Sequence, residues 1–114
     1  MQGVYLKFYV QESARLHGKL TYEWLLEQAR ALGIQGGSAF RAIAGFGRHG
    51  HLHEEHFFEL AGEVPVQVGF AVKPEDAERL LALVADTGLK LFYLRLPVEI
   101  GVTGKLLGDP APPG

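Results

Sequence analysis

The sequence predicts a single α+β domain of the ferredoxin-like type, a βαββαβ sandwich in which a four-stranded antiparallel sheet carries two helices on one face. Three observations predict this fold. The chain has 114 residues, enough for one hydrophobic core. Three segments alternate apolar and polar residues with the period of two expected of half-buried strands, a fourth is made of small and β-tolerant residues, and two segments have apolar residues at helical spacing. These six segments follow one another in the order strand, helix, strand, strand, helix, strand.

The first three elements are predicted as follows. Residues 3–10 alternate apolar side chains with polar and tyrosine side chains, which predicts a strand. A helix is predicted over residues 19–32 because its apolar residues recur at intervals of three and four, and Gly33 favours its end. Residues 38–46 are small or β-tolerant and predict the second strand. The glycine-containing segment 47–63 that follows is the longest irregular stretch of the chain.

The last three elements have equally regular patterns. Residues 64–72 alternate and predict the third strand, with Pro65 at its start. Pro74 and the two acidic residues after it begin a second helix, whose apolar stripe ends before Gly88. Alternation over residues 89–100 predicts the fourth strand.

The amino-acid composition argues against several classes of function. A formal net charge of −2 provides no positive field to attract nucleic acid. The absence of cysteine excludes disulfides and thiolate metal sites and, with no basic leader before an apolar stretch, predicts a cytoplasmic protein. Depletion of cysteine, asparagine and methionine is typical of thermophile proteins and can equally reflect codon bias. We predict one domain over residues 1–107 and a flexible, proline-rich tail over residues 108–114.

The strand patterns also predict the two faces of the sheet. If the aliphatic rows point towards the helices, Phe92, Leu94 and Leu96 are buried there. Together with residues of the second strand, the open face then carries Tyr5, Lys7, Tyr9, Gln67, Gly69, Ala71, Tyr93 and Arg95. Such a face is too aromatic to stay fully solvated, which favours a closed oligomer over a lone domain with a half-solvated sheet. Trp24 lies outside the main helical stripe and is either a contact to a partner or a partly covered surface residue.

A glycine motif indicates a family. Residues 45–50 read Gly-Phe-Gly-Arg-His-Gly directly after the second predicted strand. This segment resembles the PII signalling proteins, in which a Gly-Phe-Gly-Arg segment closes the second strand and opens a long regulatory loop. Residues 31–36 and the order of the elements extend the likeness. Residues 4–9 and 41–50, with the spacing between them, are more similar still to the bacterial "domain of unknown function 190" family of PII-like proteins.

The resemblance implies a PII-like sensor that forms a homotrimer, and the small number of catalytic side chains in the sequence predicts that it is not an enzyme. It would bind a small anionic ligand, such as a nucleotide, in clefts between subunits and signal through the 47–63 loop to a protein partner such as a membrane transporter or an enzyme. The ligand-binding residues it implies are those of the motif, Gly45, Gly47, Arg48, His49 and Gly50. The chain departs from PII proteins at the phosphate loop, which residues 87–90 replace with a short turn. Ile100 and Val102 stand where PII proteins have two arginines.

The residues of the motif support an anion site on their own chemistry. Arg48 can offer a guanidinium to a phosphate or carboxylate, while the glycines on either side let a ligand approach backbone N–H groups. The alternative is a solvent-exposed arginine in a glycine turn. We expect residues 49–62 to exchange their amide protons rapidly without ligand, because glycines punctuate a polar segment there.

A histidine cluster supports a different function. His49, His51, His53 and His56 lie within eight residues, and on an extended chain the first three share one face, which suits zinc, copper or nickel. A metal-binding trimer of the copper-tolerance type, with a divalent metal ion as its cofactor, is therefore the alternative function, and a hydrated loop is the alternative to a metal site. A small hydrolase that uses these histidines is a third reading. The serines favour it little, because neither stands in a nucleophile elbow.

Overall fold

The structure, a computed structural model, describes residues 1–45 and 64–104. Within them the sheet strands are β1 (Gln2–Gln11), β4 (Ser38–Arg41), β5 (Pro65–Val72) and β6 (Phe92–Glu99), the helices are α1 (Thr21–Ala31) and α2 (Pro74–Asp86), and a hairpin consists of β2 (Arg15–Leu16) and β3 (Lys19–Leu20). The sheet order is β4-β5-β1-β6, and all neighbouring strands are antiparallel. This is the predicted α+β ferredoxin-like fold. Neither of the two described helices is long and apolar enough to cross a membrane.

The core lies between one face of the sheet and the two helices. Every second residue of the two central strands is buried there, namely Val4, Leu6, Phe8 and Val10 of β1 and Val66, Val68, Phe70 and Val72 of β5. The helices contribute Trp24, Leu25 and Ala29 from α1 and Ala77, Leu80 and Val84 from α2. The period of two along the strands and the helical period along the helices therefore build one apolar layer, as predicted.

Trp24 is a core residue, so the surface or partner role considered for it is wrong. Only 7% of its surface is exposed. The buried residues of α1 are Thr21, Trp24, Leu25 and Ala29, whose spacing defines one helical face. This face is rotated towards Trp24 from the stripe that the apolar spacing of the sequence predicts, which consists of Tyr22, Leu25, Leu26, Ala29 and Leu32.

A short hairpin that the sequence analysis missed precedes α1. Its turn residues, His17 and Gly18, have φ values of 53° and 81°, the pair of positive angles that a type I′ turn requires. Because β3 occupies residues 19–20, α1 begins two residues later than predicted, at Thr21, whose N–H donates to the Ala14 carbonyl (2.8 Å). Strands of two residues are too short for alternation to reveal.

The predicted end of the first helix is confirmed. Gly33 has a φ of 88°, and its N–H donates to the Arg30 carbonyl (3.0 Å). The next N–H, that of Ile34, donates to the Ala29 carbonyl (3.0 Å). These two bonds form a Schellman motif, which needs a residue with positive φ and therefore favours glycine.

Two predicted strands are shorter in the structure. The second was expected over residues 38–46, but β4 ends at Arg41, and residues 42–45 leave the sheet. The fourth was expected from residue 89, but β6 begins at Phe92 because a turn follows α2. In both cases small or apolar residues continue past the last pair of the ladder, so composition alone does not mark where pairing stops.

The faces of β6 are the reverse of the prediction. Its Tyr93 is paired with Phe8 of β1. The next pair on that face joins Arg95 to Leu6. Directly paired residues of antiparallel strands share a face, and Phe8 and Leu6 are buried beneath the helices. Tyr93 and Arg95 therefore lie on the helix side, where the Arg95 guanidinium pairs with the Glu78 carboxylate of α2. The open face instead carries Phe92, Leu94, Leu96 and Val98.

Candidate functional site

One end of the sheet gathers the features that the sequence associates with ligand binding. Because neighbouring strands are antiparallel, β1 and β4 end at this edge, and β5 and β6 begin there. The chain leaves the sheet after Arg41 and returns before Pro65, so the connection that contains the glycine motif starts and finishes here. We call this end of the sheet, where β1 and β4 end and β5 and β6 begin, the loop end.

Three contacts tie the two stems of that connection together. The Ala42 N–H donates to the Pro65 carbonyl (3.0 Å), and the Glu12 N–H donates to the Val64 carbonyl (2.8 Å). The Arg41 guanidinium forms an ion pair with the Glu12 carboxylate. Since Glu12 directly follows β1, these contacts fix both stems to the end of the central strand.

The ion pair lies on the helix side of the sheet and is accessible to solvent. Arg41 pairs in register with Val66, whose side chain is buried beneath the helices. The pair therefore bridges β4 and β1 across the first residues of β5. The Arg41 side chain is 65% exposed and that of Glu12 is 27% exposed. An ion pair with this exposure contributes about 0.2–1 kcal/mol to stability.

A shallow cavity of about 490 Å³ lies beside the same end of the sheet. Its walls come from the last turns of α2, the turn after it, the start of β6 and the middle of β1. They are formed by Phe8, Leu81, Val84, Ala85, Leu89, Lys90, Leu91, Phe92 and Tyr93. Lys90 is the cation of this otherwise largely apolar lining. The chemistry suits a ligand that combines an aromatic or apolar part with an anionic group.

The open face of the sheet is a second candidate surface. Its exposed apolar side chains come from both edge strands, and they are Phe40 (60% exposed), Phe92 (36%), Leu94 (38%) and Leu96 (42%). In the middle, the Lys7 ammonium lies 5.9 Å from the ring centroids of both Tyr5 and Tyr9. The face is more apolar than predicted because β6 places leucine and phenylalanine there. The exposed apolar row along β6 is typical of an interaction surface.

Most of the predicted site residues lie outside the described residues. Gly45 is described and is exposed after β4. The other residues of the motif and the histidine cluster are not among the described residues, namely Gly47, Arg48, His49, Gly50, His51, His53 and His56. The same holds for residues 105–114. Across residues 1–45 and 64–104, no three histidine, aspartate or glutamate side chains form a group that could hold a metal ion.

Sequence reasoning missed Arg41 and Glu12 as site residues. Arg41 is the last residue of β4 and stands four residues before Gly45. This closeness to the glycine motif in the sequence is a signal that Arg41 lies at the loop end. Its partner is 29 residues away in the sequence. Only the register of β4, β5 and β1 brings the two side chains together.

Comparison with known proteins agrees with this architecture. Residues 3–99 match the model of the DUF190 family, described as "Uncharacterized ACR, COG1993". A UPF0166 protein from Aquifex aeolicus (strain VF5) is 34% identical over 76 residues, which cover 67% of this chain and 72% of that protein. A UPF0166 protein from Methanocaldococcus jannaschii is 29% identical over 76 residues, which cover 67% and 69%.

A solved structure shares the fold. It is CPII, a nitrogen regulatory PII-like protein from Thiomonas intermedia K12, bound to ADP, AMP and bicarbonate. The TM-score is 0.59 at 17% identity, with 90% of this chain and 96% of that chain covered. The fold is therefore PII-like, as the glycine motif and the order of elements predicted. With 97 consecutive residues matched by the family model, the chain belongs to the DUF190 family.

Proposed function

We propose that this protein is a PII-like regulator, a homotrimer that binds a small anionic ligand in clefts between subunits and signals through residues 47–63 to a protein partner. The observation that carries the proposal is the composition of the loop end in this PII-like fold. The loop end contains the two stems of the connection that carries the glycine motif, the exposed Arg41 guanidinium and the apolar cavity with Lys90.

The open face supports assembly. Phe40, Leu94 and Leu96 expose apolar surface to water in the single chain, and covering such surface contributes about 25 cal/mol per Å². A closed homo-oligomer covers the same patch on every subunit. The likeness to PII proteins supports three subunits as the number that closes the assembly.

The ligand that fits best is a nucleotide or a smaller oxyanion. The apolar lining of the cavity offers a base a surface to pack against, and Lys90 offers a phosphate a cation. Arg48 supplies a second cation in this proposal, together with the backbone N–H groups of Gly45, Gly47, His49 and Gly50. ADP, AMP and bicarbonate, the ligands of CPII, belong to this chemical class.

Isothermal titration calorimetry with ADP tests the ligand. Adenosine is the matched control because it keeps the base and ribose and lacks the phosphates. Saturable heat with ADP and none with adenosine would support an anion site. The absence of binding by ADP, AMP and bicarbonate at millimolar concentration would contradict it.

The histidine cluster defines the competing outcome. If the protein binds zinc or copper stoichiometrically, loses that binding when the four clustered histidines are replaced by alanine, and does not bind ADP, it is a metal-binding trimer instead. Turnover of an ester or phosphoester substrate that the same replacement abolishes would identify a hydrolase.

A further inference from the structure

We propose that Arg41 is an oxyanion-binding residue of this regulator and that the Glu12 carboxylate occupies it when no ligand is bound. The inference rests on the proposed function and adds to it a residue pair outside the glycine motif. The ligand chemistry is a phosphate group or a carbonate-like oxyanion. Glu12 is then a tethered competitor whose displacement accompanies binding.

The pair is built so that an anion can reach the guanidinium. The Arg41 side chain is 65% exposed, whereas the Glu12 side chain is 27% exposed, so the carboxylate is the more enclosed partner. The contact joins Nη2 of Arg41 to Oε2 of Glu12. A guanidinium has five N–H donors, and one carboxylate can use only some of them. Arg41 therefore keeps donors that face solvent.

The position of Arg41 links it to the rest of the candidate site. It is the last residue of β4, and Gly45 follows four residues later. Its register partner, Val66, is buried beneath the helices, as is Phe8 of the cavity wall. Arg41 and the cavity therefore share both the loop end and the helix side of the sheet. Arg41 belongs to β4, whereas the cavity lies beside β6 at the opposite edge of the sheet, so Arg41 is a cation separate from Lys90.

The energies permit an exchange of partners. Exposed ion pairs between side chains are weak because both groups are well hydrated when they separate. Phosphate oxygens accept stronger, bidentate hydrogen bonds from a guanidinium, and a nucleotide brings more than one negative charge. A phosphate can therefore replace the Glu12 carboxylate at modest cost.

Displacement of Glu12 would also act on the stem of the connection. The Glu12 N–H holds the Val64 carbonyl, and the Ala42 N–H beside Arg41 holds the Pro65 carbonyl. Releasing the ion pair removes the side-chain contact that ties these two stems to β1. Ligand binding and loosening of the two stems are therefore coupled, because both are favoured when the Arg41–Glu12 ion pair is broken.

Calorimetry on three variants tests the exchange, with ADP and bicarbonate as separate arms. We expect Glu12→Gln to tighten ADP binding about two- to fivefold, because it removes the competitor. Arg41→Gln should weaken ADP binding about tenfold, the scale of a lost hydrogen bond to a charged group. Glu27→Gln is the control, since it removes the same charge and breaks the exposed Lys19–Glu27 pair (2.6 Å). Its affinity should equal that of the wild type.

A double variant and an exchange measurement separate this mechanism from a general charge effect. Glu12→Gln should have no effect on ADP affinity in the Arg41→Gln background, because the Glu12 carboxylate then has no guanidinium to pair with. Amide exchange at Ala42 should accelerate in Glu12→Gln without ligand and in the wild type with ADP. The bicarbonate arm shows whether a small oxyanion is enough or whether the nucleotide phosphate is required.

The outcomes distinguish this inference from the proposed function. If the wild type binds ADP and Arg48→Ala weakens that binding, but Glu12→Gln and Arg41→Gln match the wild type, the inference is overturned and the proposed function stands. Binding by Glu12→Gln alone would overturn the inference, because a carboxylate held in an exposed ion pair should be displaced at modest cost in the wild type. If neither protein binds ADP or bicarbonate, both fail.

Discussion

Glycine occupies two positions where a side chain would meet an aromatic ring. A Cβ at Gly37 would lie 2.4 Å from Cε1 of Phe70, and a Cβ at Gly69 would lie 2.2 Å from the Tyr5 hydroxyl. The two collisions differ in their consequences. The Phe70 ring is 1% exposed and packed in the core, whereas the Tyr5 hydroxyl is the far end of a side chain on the open face. Of these two positions, Gly37 is therefore the one that tolerates a methyl group less.

Gly37→Ala should lower the free energy of unfolding by about 1–3 kcal/mol, the usual cost of overpacking a core. Gly101→Ala is the matched control, because a Cβ there meets no atom within 4 Å. Urea denaturation at one fixed protein concentration measures both, since assembly makes stability depend on concentration. Equal midpoints for the two variants would show that Phe70 can move aside.

Arg48 is the cation that the glycine motif places at the ligand in the proposed function. Arg48→Ala should weaken ADP binding by about 1.5–3 kcal/mol, the scale of a charged hydrogen bond. Arg48→Lys should recover only part of the loss, because an ammonium lacks the bidentate geometry. Calorimetry measures both affinities.

The control for Arg48 is Arg30→Ala. It removes the same charge from the exposed last turn of α1 and should leave ADP affinity unchanged. Two results would count against the role of Arg48. Undiminished affinity in Arg48→Ala would move attention to the histidine cluster. A loss of affinity that follows loss of the oligomer would make Arg48 a structural residue of the interface.

At the scale of elements, periodicity predicts which segments are strands and helices better than it predicts which way they face. The alternating core residues of β1 and β5 and the apolar stripe of α2 are buried as expected. One row of β6 is entirely apolar and the other contains Tyr93, Arg95 and Glu99, so the alternation points to the apolar row as the buried one, which is wrong. The register with β1 decides which row faces the helices.

The candidate site likewise has one part that the sequence reveals and one part that only the structure reveals. The glycine motif is contiguous in sequence, so it could be recognised by reading the chain. The Arg41–Glu12 pair joins the last residue of β4 to the residue that follows β1, with β5 between the two strands, and no local pattern predicts such a contact. The hairpin before α1 escaped detection because its strands have two residues each.

Two adjacent positions of β6 test the corrected assignment of its faces. Leu94→Gln should weaken self-association, because Leu94 lies on the apolar open face and is 38% exposed in the single chain. Arg95→Gln should not, because Arg95 lies on the helix side and pairs with Glu78. Sedimentation equilibrium over a range of micromolar concentrations measures both. Equal weakening would mean that the interface includes the helix side of β6.

At the scale of the whole molecule, the proposed assembly and the proposed ligand binding use two different surfaces. The open face presents apolar side chains suited to contact with other subunits. The loop end presents the exposed Arg41 and the cavity with Lys90, which suit an anionic ligand. Phe92 belongs to both surfaces, since it lies on the open face and also lines the cavity. Assembly and ligand binding should therefore influence one another, as is common where a ligand site borders a subunit interface.

Native mass spectrometry of the purified protein with ADP tests the central claim most directly, because one spectrum reports both the number of chains and the number of ligands. The account predicts a particle of three 12.5 kDa chains that retains up to three ADP molecules and no adenosine. A particle with the mass of one chain, or a trimer that retains no ADP while it retains stoichiometric zinc or copper, would contradict it.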